Sequence, residues 1–265
     1  MHPTINIAIR AARSAGNLLL RYYDRVDTLN VSAKGLNDFV SDVDKASEQA
    51  IIEVLRKSYP DHAILAEESG EHGRSDYQWV IDPLDGTTNY LHGFPQFSVS
   101  IALKHKGVLE HALVYDPLRD EMFTASRGAG ALLNDRRIRA SSRKVLTGAL
   151  LGTGFPYREL VHLDPYLGMF RDLISEVAGI RRPGSAALDL AYVAAGRLDG
   201  FWELGLSEWD IAAGALLIKE AGGTISDLSG GERYLESGNL IAANVKLHNL
   251  MRRKIQPHLN EQLRF

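Results

Sequence analysis

Apolar residues near the start of the chain recur with the spacing of a helix that buries one face. Between Ile5 and Tyr23 they fall three or four positions apart, and the arginines lie mostly on the opposite side. The same spacing predicts further helices at about Asp44 to Ser58, Tyr166 to Val177, Ala187 to Ala195, Ile211 to Ala221 and Lys246 to Leu263. Helices are therefore expected at both ends of the chain and through its second half.

The middle of the chain alternates apolar and polar residues, which is typical of antiparallel strands with one covered face. These strands are predicted at Phe97 to Leu103, Val108 to Tyr115 and Glu121 to Thr124, before a hairpin that turns at Asn134 and Asp135. Short apolar runs predict buried strands at Ala63 to Ala66, Trp79 to Ile81, Leu146 to Gly152, Leu198 to Leu204, Thr224 to Asp227 and Gly238 to Ala243. The mixture predicts an α/β fold of the α+β type.

Composition narrows the function classes without choosing one. The 265 residues are 45% hydrophobic and 24% charged, and no linker divides them, so we expect a single domain of two tightly joined halves, approximately 1–140 and 141–265. The absence of cysteine excludes disulfides, thiolate metal sites and thiol nucleophiles. A net charge of −3 neither favours nor excludes a nucleic-acid partner. No signal peptide or membrane-span pattern is present, and we expect a cytoplasmic protein.

The segment from Trp79 to Asn89 is the strongest candidate for chemistry. Pro83 is expected to stop the preceding strand and to leave the carbonyl group of Leu84 without a ladder partner. Asp82 and Asp85, three positions apart across the turn, then converge on hard cations. The competing interpretation is structural, because Asp-Pro and Asp-Gly are ordinary turn dipeptides.

The residues after this turn are typical of a helix start. Gly86 permits a left-handed conformation, and Thr87, Thr88 and Asn89 follow it. The unpaired amide groups of a helix start point outward and bind phosphate. The segment therefore predicts a phosphate site directly in front of a cation site.

Three further acids have both a structural and a functional interpretation. Glu67 and Glu68 follow the strand that precedes Trp79, and of these two adjacent acids one is expected to face solvent while the other can face Asp82. Asp44 and Asp210 stand at helix starts, where an acid ordinarily serves as a cap. Carboxylates about 4 Å apart repel by roughly 4 kcal/mol per pair at an effective dielectric near 20, so converging acids must be protonated or bind metal.

Three motifs in fixed order resemble the signature blocks of the inositol monophosphatase family. They are Glu67 to Ser69, Trp79 to Asn89, and Trp209 to Gly214 with Glu220 to Gly223 after it. The segments that begin at Lys34 and Arg181 are similar to bacterial members in particular. Because three ordered blocks are far more specific than one, the resemblance favours the metal site over the capping interpretation.

The resemblance implies the layered α-β-α-β-α sandwich of the inositol monophosphatase and fructose-bisphosphatase superfamily. It implies two Mg²⁺ ions, with a third, weaker one placed with help from Glu67. The first ion is held by Glu67, Asp82 and the carbonyl group of Leu84. The second is held by Asp82, Asp85 and Asp210.

Further roles carried over from the family concern catalysis and substrate binding. The catalytic residues are Asp44, Glu67 and Thr87, of which Asp44 and Thr87 orient and deprotonate the attacking water. The phosphate is bound by the amide groups of Gly86 and Thr87. The substrate-binding residues are Asp85, Ser185, Ala186, Glu203 and Asp210, and Lys34 is a loop lysine near the metals.

The resemblance implies a lithium-sensitive phosphomonoesterase acting on myo-inositol 1-phosphate and related polyol phosphates by metal-activated water attack. A fructose-bisphosphatase or a nucleotide 3′-phosphatase is the nearest catalytic alternative, although the acid Glu203 disfavours a second phosphate.

A second class of function is an interaction protein. The bacterial resemblance implies Nus-type antitermination of ribosomal RNA transcription with NusA and RNA polymerase as partners, and it leaves direct RNA binding open. It also implies a homodimer with Arg181 and Arg182 near the contact, a solvated surface being the alternative for these arginines.

Overall fold

The computed structural model describes residues 2–26, 31–35, 38–157 and 159–264, without the side chains of residues 31 and 33–40. The helices in this part of the chain are α1 (Pro3–Tyr23), α2 (Asp42–Ser58), α3 (Thr87–Leu91), α4 (Leu163–Ile174), α5 (Ala186–Ala194), α6 (Glu208–Glu220), α7 (Tyr234–Ser237) and α8 (Val245–Ile255). Short 3-10 turns occupy Leu160–His162, Gln256–His258 and Glu261–Leu263. No helix in these ranges is both long enough and apolar enough to span a bilayer.

The strands fall into a hairpin and two larger sheets. The hairpin pairs β1 (Val31–Gly35) with β2 (Asp38–Ser41). The strands of the eight-stranded sheet are β3 (Ala63–Ala66), β4 (Gly70–His72), β5 (Tyr77–Asp85), β6 (Ser98–His105), β7 (Val108–Asp116), β8 (Glu121–Ser126), β9 (Gly130–Leu133) and β10 (Arg136–Arg137). The strands of the five-stranded sheet are β11 (Leu150–Thr153), β12 (Gly179–Arg181), β13 (Gly200–Glu203), β14 (Thr224–Ser226) and β15 (Leu240–Ala243).

The layers alternate as the family resemblance predicts. The larger sheet, in the order β10-β9-β8-β7-β6-β5-β3-β4, carries α1 and α2 on one face. Helices α5 and α6 lie between it and the smaller sheet, which has the order β12-β11-β13-β15-β14. Helices α4 and α8 cover the outer face of the smaller sheet. The α-β-α-β-α sandwich is confirmed, and neighbouring strands of the larger sheet are antiparallel except for β3 and β5.

Each layer follows from the pattern of apolar side chains. Ile5, Ala8, Ala12, Ala15 and Leu19 of α1 are buried with helical spacing, because that face packs on the larger sheet. Helix α6 buries both flanks, since it is covered by a sheet on each side. This central position brings the beginnings of α5 and α6 close to the end of β5.

Three predicted boundaries are wrong, each for a local reason. Strand β5 does not stop at Asp82 but continues through Pro83 to Asp85, because a bulge opposite β6 accommodates a residue that cannot donate to the ladder. The last helix ends at Ile255, just before Pro257, instead of reaching Leu263. The strand predicted from Leu146 begins only at Leu150.

Candidate active site

A cavity of about 340 Å³ opens where the larger sheet, the two central helices and the smaller sheet meet. Its walls come from the end of β5, the start of α3, the residues after β11, the starts of α5 and α6, and the end of β13. Within the described ranges, every candidate metal, phosphate and substrate residue predicted from the sequence lines this cavity. Asp44 lies behind it, buried against Thr87, and Lys34 has a side chain outside the described residues.

The acids at the end of β5 are brought together by strand register. In the parallel pair β3 and β5, Ala66 stands opposite Ile81, so the next residues, Glu67 and Asp82, emerge side by side. The amide of Glu67 donates to the carbonyl of Ile81 at 3.1 Å, and a hydrogen bond joins the carboxyl groups of Glu67 and Asp82. Asp85 reaches the same place because the bulge puts three residue steps of β5 opposite two of β6.

Asp82, Asp85 and Asp210 form the centre of the cavity. One carboxylate oxygen from each lies within 4.8 Å of the others. Asp82 is only 1% exposed, and its Oδ1 accepts a hydrogen bond from the amide of Leu84 at 2.9 Å. Three oxygen ligands at this separation suit a hard divalent cation such as Mg²⁺.

The start of α5 holds Asp85 in place. The hydroxyl of Ser185 donates to Oδ2 of Asp85 at 2.6 Å, and the amide of Ala187 donates to the same atom at 2.7 Å. The amide of Ala186 also hydrogen-bonds the carboxylate. Ser185 and Ala186 line the cavity, and the hydroxyl of Ser185 is directed at Asp85; their contact with substrate stays a prediction.

Asp210 combines the two interpretations that the sequence left open. The amide of Ser207 donates to its Oδ2 at 2.7 Å, which is a capping box at the start of α6. The same side chain belongs to the acid cluster. The cap therefore fixes the direction in which the carboxylate faces the cavity.

Asp44 likewise both caps a helix, at the start of α2, and contacts another site residue. Its Oδ2 accepts from the amide of Ser41 at 2.9 Å and from the hydroxyl of Ser41. Its Oδ1 lies 3.1 Å from the hydroxyl of Thr87, which is also 3.0 Å from the carbonyl oxygen of Leu84. A buried carboxylate thus stands directly behind a hydroxyl that lines the cavity.

Gly86 is required by its backbone conformation and by its surroundings. Its φ is 96°, and a Cβ atom there would lie 2.9 Å from the carbonyl oxygen of Gln96. Helix α3 begins at Thr87, as predicted. Phosphate binding by the amide groups of Gly86 and Thr87 stays a prediction.

Burial and repulsion from neighbouring carboxyl groups favour the protonated forms of Asp82 and Asp85. Burial raises the pKa of Asp82 well above its usual range, and the nearby carboxyl groups of Glu67, Asp85 and Asp210 raise it further. Burial raises the pKa of Asp85 to about 6, against the hydrogen bonds from Ser185 and Ala187 that lower it. A bound cation would remove this repulsion, so the cluster fits a metal ion.

We expect the metal-free protein to lose stability as pH rises from about 4 to above 6. A carboxyl group whose pKa is 3.8 when unfolded and about 6 when folded stabilises the fold fully below the lower value and loses that contribution above the higher one. The midpoint of thermal unfolding in a chelating buffer measures this, with Asp85→Asn as the matched variant. The unfolding midpoint of the wild type should fall more steeply with rising pH than that of the variant. Added Mg²⁺ should raise the wild-type midpoint most near neutral pH. Identical pH profiles for the two proteins would contradict the assignment.

Only some of the residues on the far wall of the cavity were predicted from the sequence as site residues. Glu203 lines it at the end of β13 and packs against Gly154, where even a Cβ atom would collide with the carboxylate. Arg182 also lines it, with its guanidinium 5.5 Å from the ring centre of Phe155 and 5.1 Å from that of Tyr157.

Asp189 is a cavity residue that sequence reasoning missed. It lies in α5, within an apolar run, and lines the cavity with 1% exposure. The available signal was a lone acid on a helix whose other residues are almost all apolar. Such a residue needs a partner from elsewhere in the fold.

Comparison with known proteins shows similarity over the whole chain. A sequence model described as the inositol monophosphatase family matches residues 1–264. A protein named Nus factor SuhB from Pseudomonas aeruginosa is 58% identical, and one of the same name from Escherichia coli is 52% identical, with all of each chain covered in both comparisons.

Solved structures agree with this similarity. The extragenic suppressor protein suhB from Bartonella henselae superposes with a TM-score of 0.95 at 45% identity, covering 97% of this chain and 100% of that one. An inositol monophosphatase from Anabaena superposes with a TM-score of 0.85 at 40% identity, covering 96% of this chain and 95% of that one.

Proposed function

The chain belongs to the inositol monophosphatase family, and on this premise we propose that it is a Mg²⁺-dependent phosphomonoesterase acting on myo-inositol 1-phosphate and related polyol phosphates. The observation that carries the proposal is the convergence of Asp82, Asp85 and Asp210 in one cavity beside the Thr87–Asp44 pair. Inhibition by lithium at the site of these three acids is part of the proposal.

The acids divide into two sets of metal ligands in this proposal. One Mg²⁺ would be held by Glu67, Asp82 and the carbonyl of Leu84. A second would be held by Asp82, Asp85 and Asp210. Glu67 would also help to place a third, weaker one. When bound, Mg²⁺ supplies positive charge that polarises the phosphate and stabilises the departing oxygen. The geometric support is that all these residues line one cavity, and Asp82 is common to the two proposed sets.

The Thr87–Asp44 pair is the proposed route for the proton of the attacking water. The Thr87 hydroxyl accepts a hydrogen bond from water at Oγ1 while its own proton points to Oδ1 of Asp44, 3.1 Å away. Asp44 is held by Ser41 and buried, so its free-energy cost of reorientation during reaction is small. The amide groups of Gly86 and Thr87 bind the phosphate, and Ala186 and Glu203 face the leaving group.

A panel of phosphate esters tests the substrate class. We expect purified protein with Mg²⁺ to release phosphate from myo-inositol 1-phosphate faster than from fructose 1,6-bisphosphate or adenosine 3′,5′-bisphosphate. The physical reason is Glu203, whose carboxylate repels a second phosphate but accepts hydrogen bonds from hydroxyl groups. Faster cleavage of either bisphosphate would replace the polyol proposal with the corresponding alternative.

A second role in transcription is proposed from the relatives alone. Proteins that are 58% and 52% identical over their whole length are named Nus factors, which associates them with the antitermination machinery. We propose that this chain also contacts NusA and RNA polymerase during ribosomal RNA synthesis. Because a stable protein contact covers roughly 800 Å² per partner, the contact must use outer surface away from the cavity acids.

The transcription role should therefore survive loss of catalysis. Asp82→Asn is expected to bind NusA and RNA polymerase as the wild type does, since Asp82 is buried inside the cavity. Pull-down from defined components measures this, with Arg182→Ala as the comparison variant at an exposed residue of the cavity wall and unfolding profiles to verify folding. Loss of binding by folded Asp82→Asn would tie the partners to the occupied metal site.

We also propose a homodimer. Large apolar side chains are exposed along one stretch of the chain, namely Leu160, Val161, Leu163, Leu167 and Ile174. Exposed apolar side chains close together are typical of an interaction surface. Arg182, predicted near the contact, stacks on Phe155 and Tyr157 within its own chain.

Sedimentation at tens of micromolar tests the dimer. We expect a dimer for the wild type and a shift toward monomer for Leu167→Asp, because a charge in an apolar interface is desolvated without a partner. Val108→Asp is the matched control, an exposed apolar residue at the β6–β7 turn of the larger sheet. A wild type that sediments only as monomer would remove the proposal.

A further inference from the structure

The starting observation is a buried acid that the proposed mechanism does not use. Asp189 is 1% exposed in α5, and its neighbours Leu188 and Leu190 are fully buried in the central core. A carboxyl group placed there loses its hydration, which destabilises the fold unless another group replaces the water. Some compensating contact is therefore expected for this side chain.

The described residues do not supply that contact to one of its oxygens. Oδ1 of Asp189 is buried and has no hydrogen-bond partner in the described ranges of the chain. The side chain nevertheless lines the same cavity as Glu203 and Gly154. Oδ1 itself has almost no contact with the cavity space in the free protein, so the carboxyl group must rotate slightly before a group in the cavity can hydrogen-bond it.

Asp189 is separate from the metal cluster. The described acids whose ligand atoms lie within 4.8 Å of one another are Asp82, Asp85 and Asp210, and Asp189 is outside this group. Its electrostatic neighbours are Glu203, which has the largest effect, the cluster acid Asp85, and Arg182. Asp189 thus belongs to the wall that the leaving group faces.

The charge state expected for Asp189 suits a hydroxyl group. Burial raises its pKa well above the usual value, the carboxylates of Glu203 and Asp85 raise it further, and Arg182 lowers it. A neutral carboxyl group both donates and accepts hydrogen bonds, as a hydroxyl group does. Glu203, beside it, offers acceptors.

We propose that Asp189 is a specificity-determining residue that, with Glu203, binds hydroxyl groups of the leaving group after a rotation of its carboxyl group presents the unpartnered Oδ1 to the cavity. The inference rests on the proposed polyol phosphatase function and adds to it a second hydroxyl-binding side chain. The ligand class is a vicinal polyol. A leaving group without hydroxyl groups gains nothing from Asp189.

The test compares Asp189→Leu with Asp189→Asn on two esters, myo-inositol 1-phosphate and p-nitrophenyl phosphate. We expect Asp189→Leu to raise KM for the inositol ester about tenfold, the effect of losing one hydrogen bond, while KM for the aryl ester stays within about twofold. Asp189→Asn keeps a donor and an acceptor and should stay within about threefold of the wild type on both. Removal of an unsatisfied buried carboxyl group should not lower the unfolding temperature of the Leu variant.

Two kinetic outcomes would overturn the proposal. Unchanged kinetics on both esters would show that Asp189 does not contact the leaving group. Equal losses on both esters would show that it acts on the shared site, through α5 and Asp85. If the Leu variant does not fold, Asp189→Ala takes its place in the same comparison.

Failure of the proposed function gives a different signature. A wild type that cleaves p-nitrophenyl phosphate but not the inositol ester contradicts the substrate, and glycerol 2-phosphate then serves as the hydroxylated ester for the Asp189 comparison. A readout independent of turnover is the rise in unfolding temperature produced by myo-inositol. We expect this rise in the wild type and in Asp189→Asn and not in Asp189→Leu; an equal rise in all three would overturn the proposal.

Discussion

Replacing Asp85 with Asn is expected to lower the rate of phosphate release from myo-inositol 1-phosphate by at least about a hundredfold. The substitution keeps the shape of the side chain and removes one negative charge from a cluster of three carboxylates within 4.8 Å of one another. A lost charged ligand weakens a two-metal site by several kcal/mol of transition-state stabilisation, and each decade of rate corresponds to about 1.4 kcal/mol.

The control for this substitution is an acid outside the cavity. Asp76 is on the surface and pairs weakly with Lys106 at 3.8 Å, so Asp76→Asn should retain full activity. Circular dichroism and the unfolding midpoint verify that Asp85→Asn is folded. We expect it to fold, because burial raises the pKa of Asp85 and so already favours an uncharged side chain at this position. A folded Asp85→Asn with undiminished turnover would refute the metal assignment.

The second large effect is expected for Asp44→Asn. The amide can still accept hydrogen bonds from Ser41, so the start of α2 should remain intact, but it cannot take up a proton from Thr87. General-base assistance contributes about 10² to 10⁴ in rate, and we expect kcat to fall within that range with little change in KM.

Thr87 offers the matched pair for this prediction. Thr87→Ser retains the hydroxyl and should stay within about tenfold of the wild type, whereas Thr87→Ala should resemble Asp44→Asn. The double variant of Asp44→Asn with Thr87→Ala should be scarcely slower than either alone, because both residues serve one proton route. Additive losses, or an Asp44→Asn enzyme with more than a tenth of the wild-type kcat, would contradict that route.

Features set by short-range chemistry were predictable from the sequence. Helix α1 follows from apolar spacing, and the turn between β9 and β10 follows from Asn134 and Asp135, whose φ values of 46° and 64° are tolerated best by such residues. The end of α8 could also have been predicted locally, because Pro257 follows it closely. The predicted helix was too long because this proline was not taken into account. These elements depend on neighbours in the chain and little else.

Pro83 shows where local chemistry misleads. A proline that cannot donate to the ladder predicts a strand end, but the bulge opposite β6 makes that donation unnecessary, and β5 continues to Asp85. The pairing with β6 decides where β5 ends, and the register of that pairing cannot be read from the sequence of the segment alone. The consequence is functional geometry, since the bulge turns Asp82 and Asp85 toward one cavity.

The candidate site residues that belong to recognisable sequence motifs could be predicted. The local pattern alone favoured Asp44 and Asp210 as caps, and the structure shows that both are caps whose carboxyl groups also face other site groups. For Asp189 the sequence offered only a lone acid in an apolar helix, and its place in the cavity could not be predicted because its surroundings come from β11, β13 and the segment around Arg182. Only the packing of the central helices against the smaller sheet makes it a cavity residue.

The central claim is that the acid cluster holds the divalent metal on which phosphate hydrolysis depends. The most direct measurement is phosphate release from myo-inositol 1-phosphate by chelator-stripped protein as Mg²⁺ is titrated back. We predict no turnover above background without metal, a saturable rise with Mg²⁺, and no such rise for Asp82→Asn. Full turnover by the stripped protein, or the same Mg²⁺ dependence in folded Asp82→Asn, would contradict the claim.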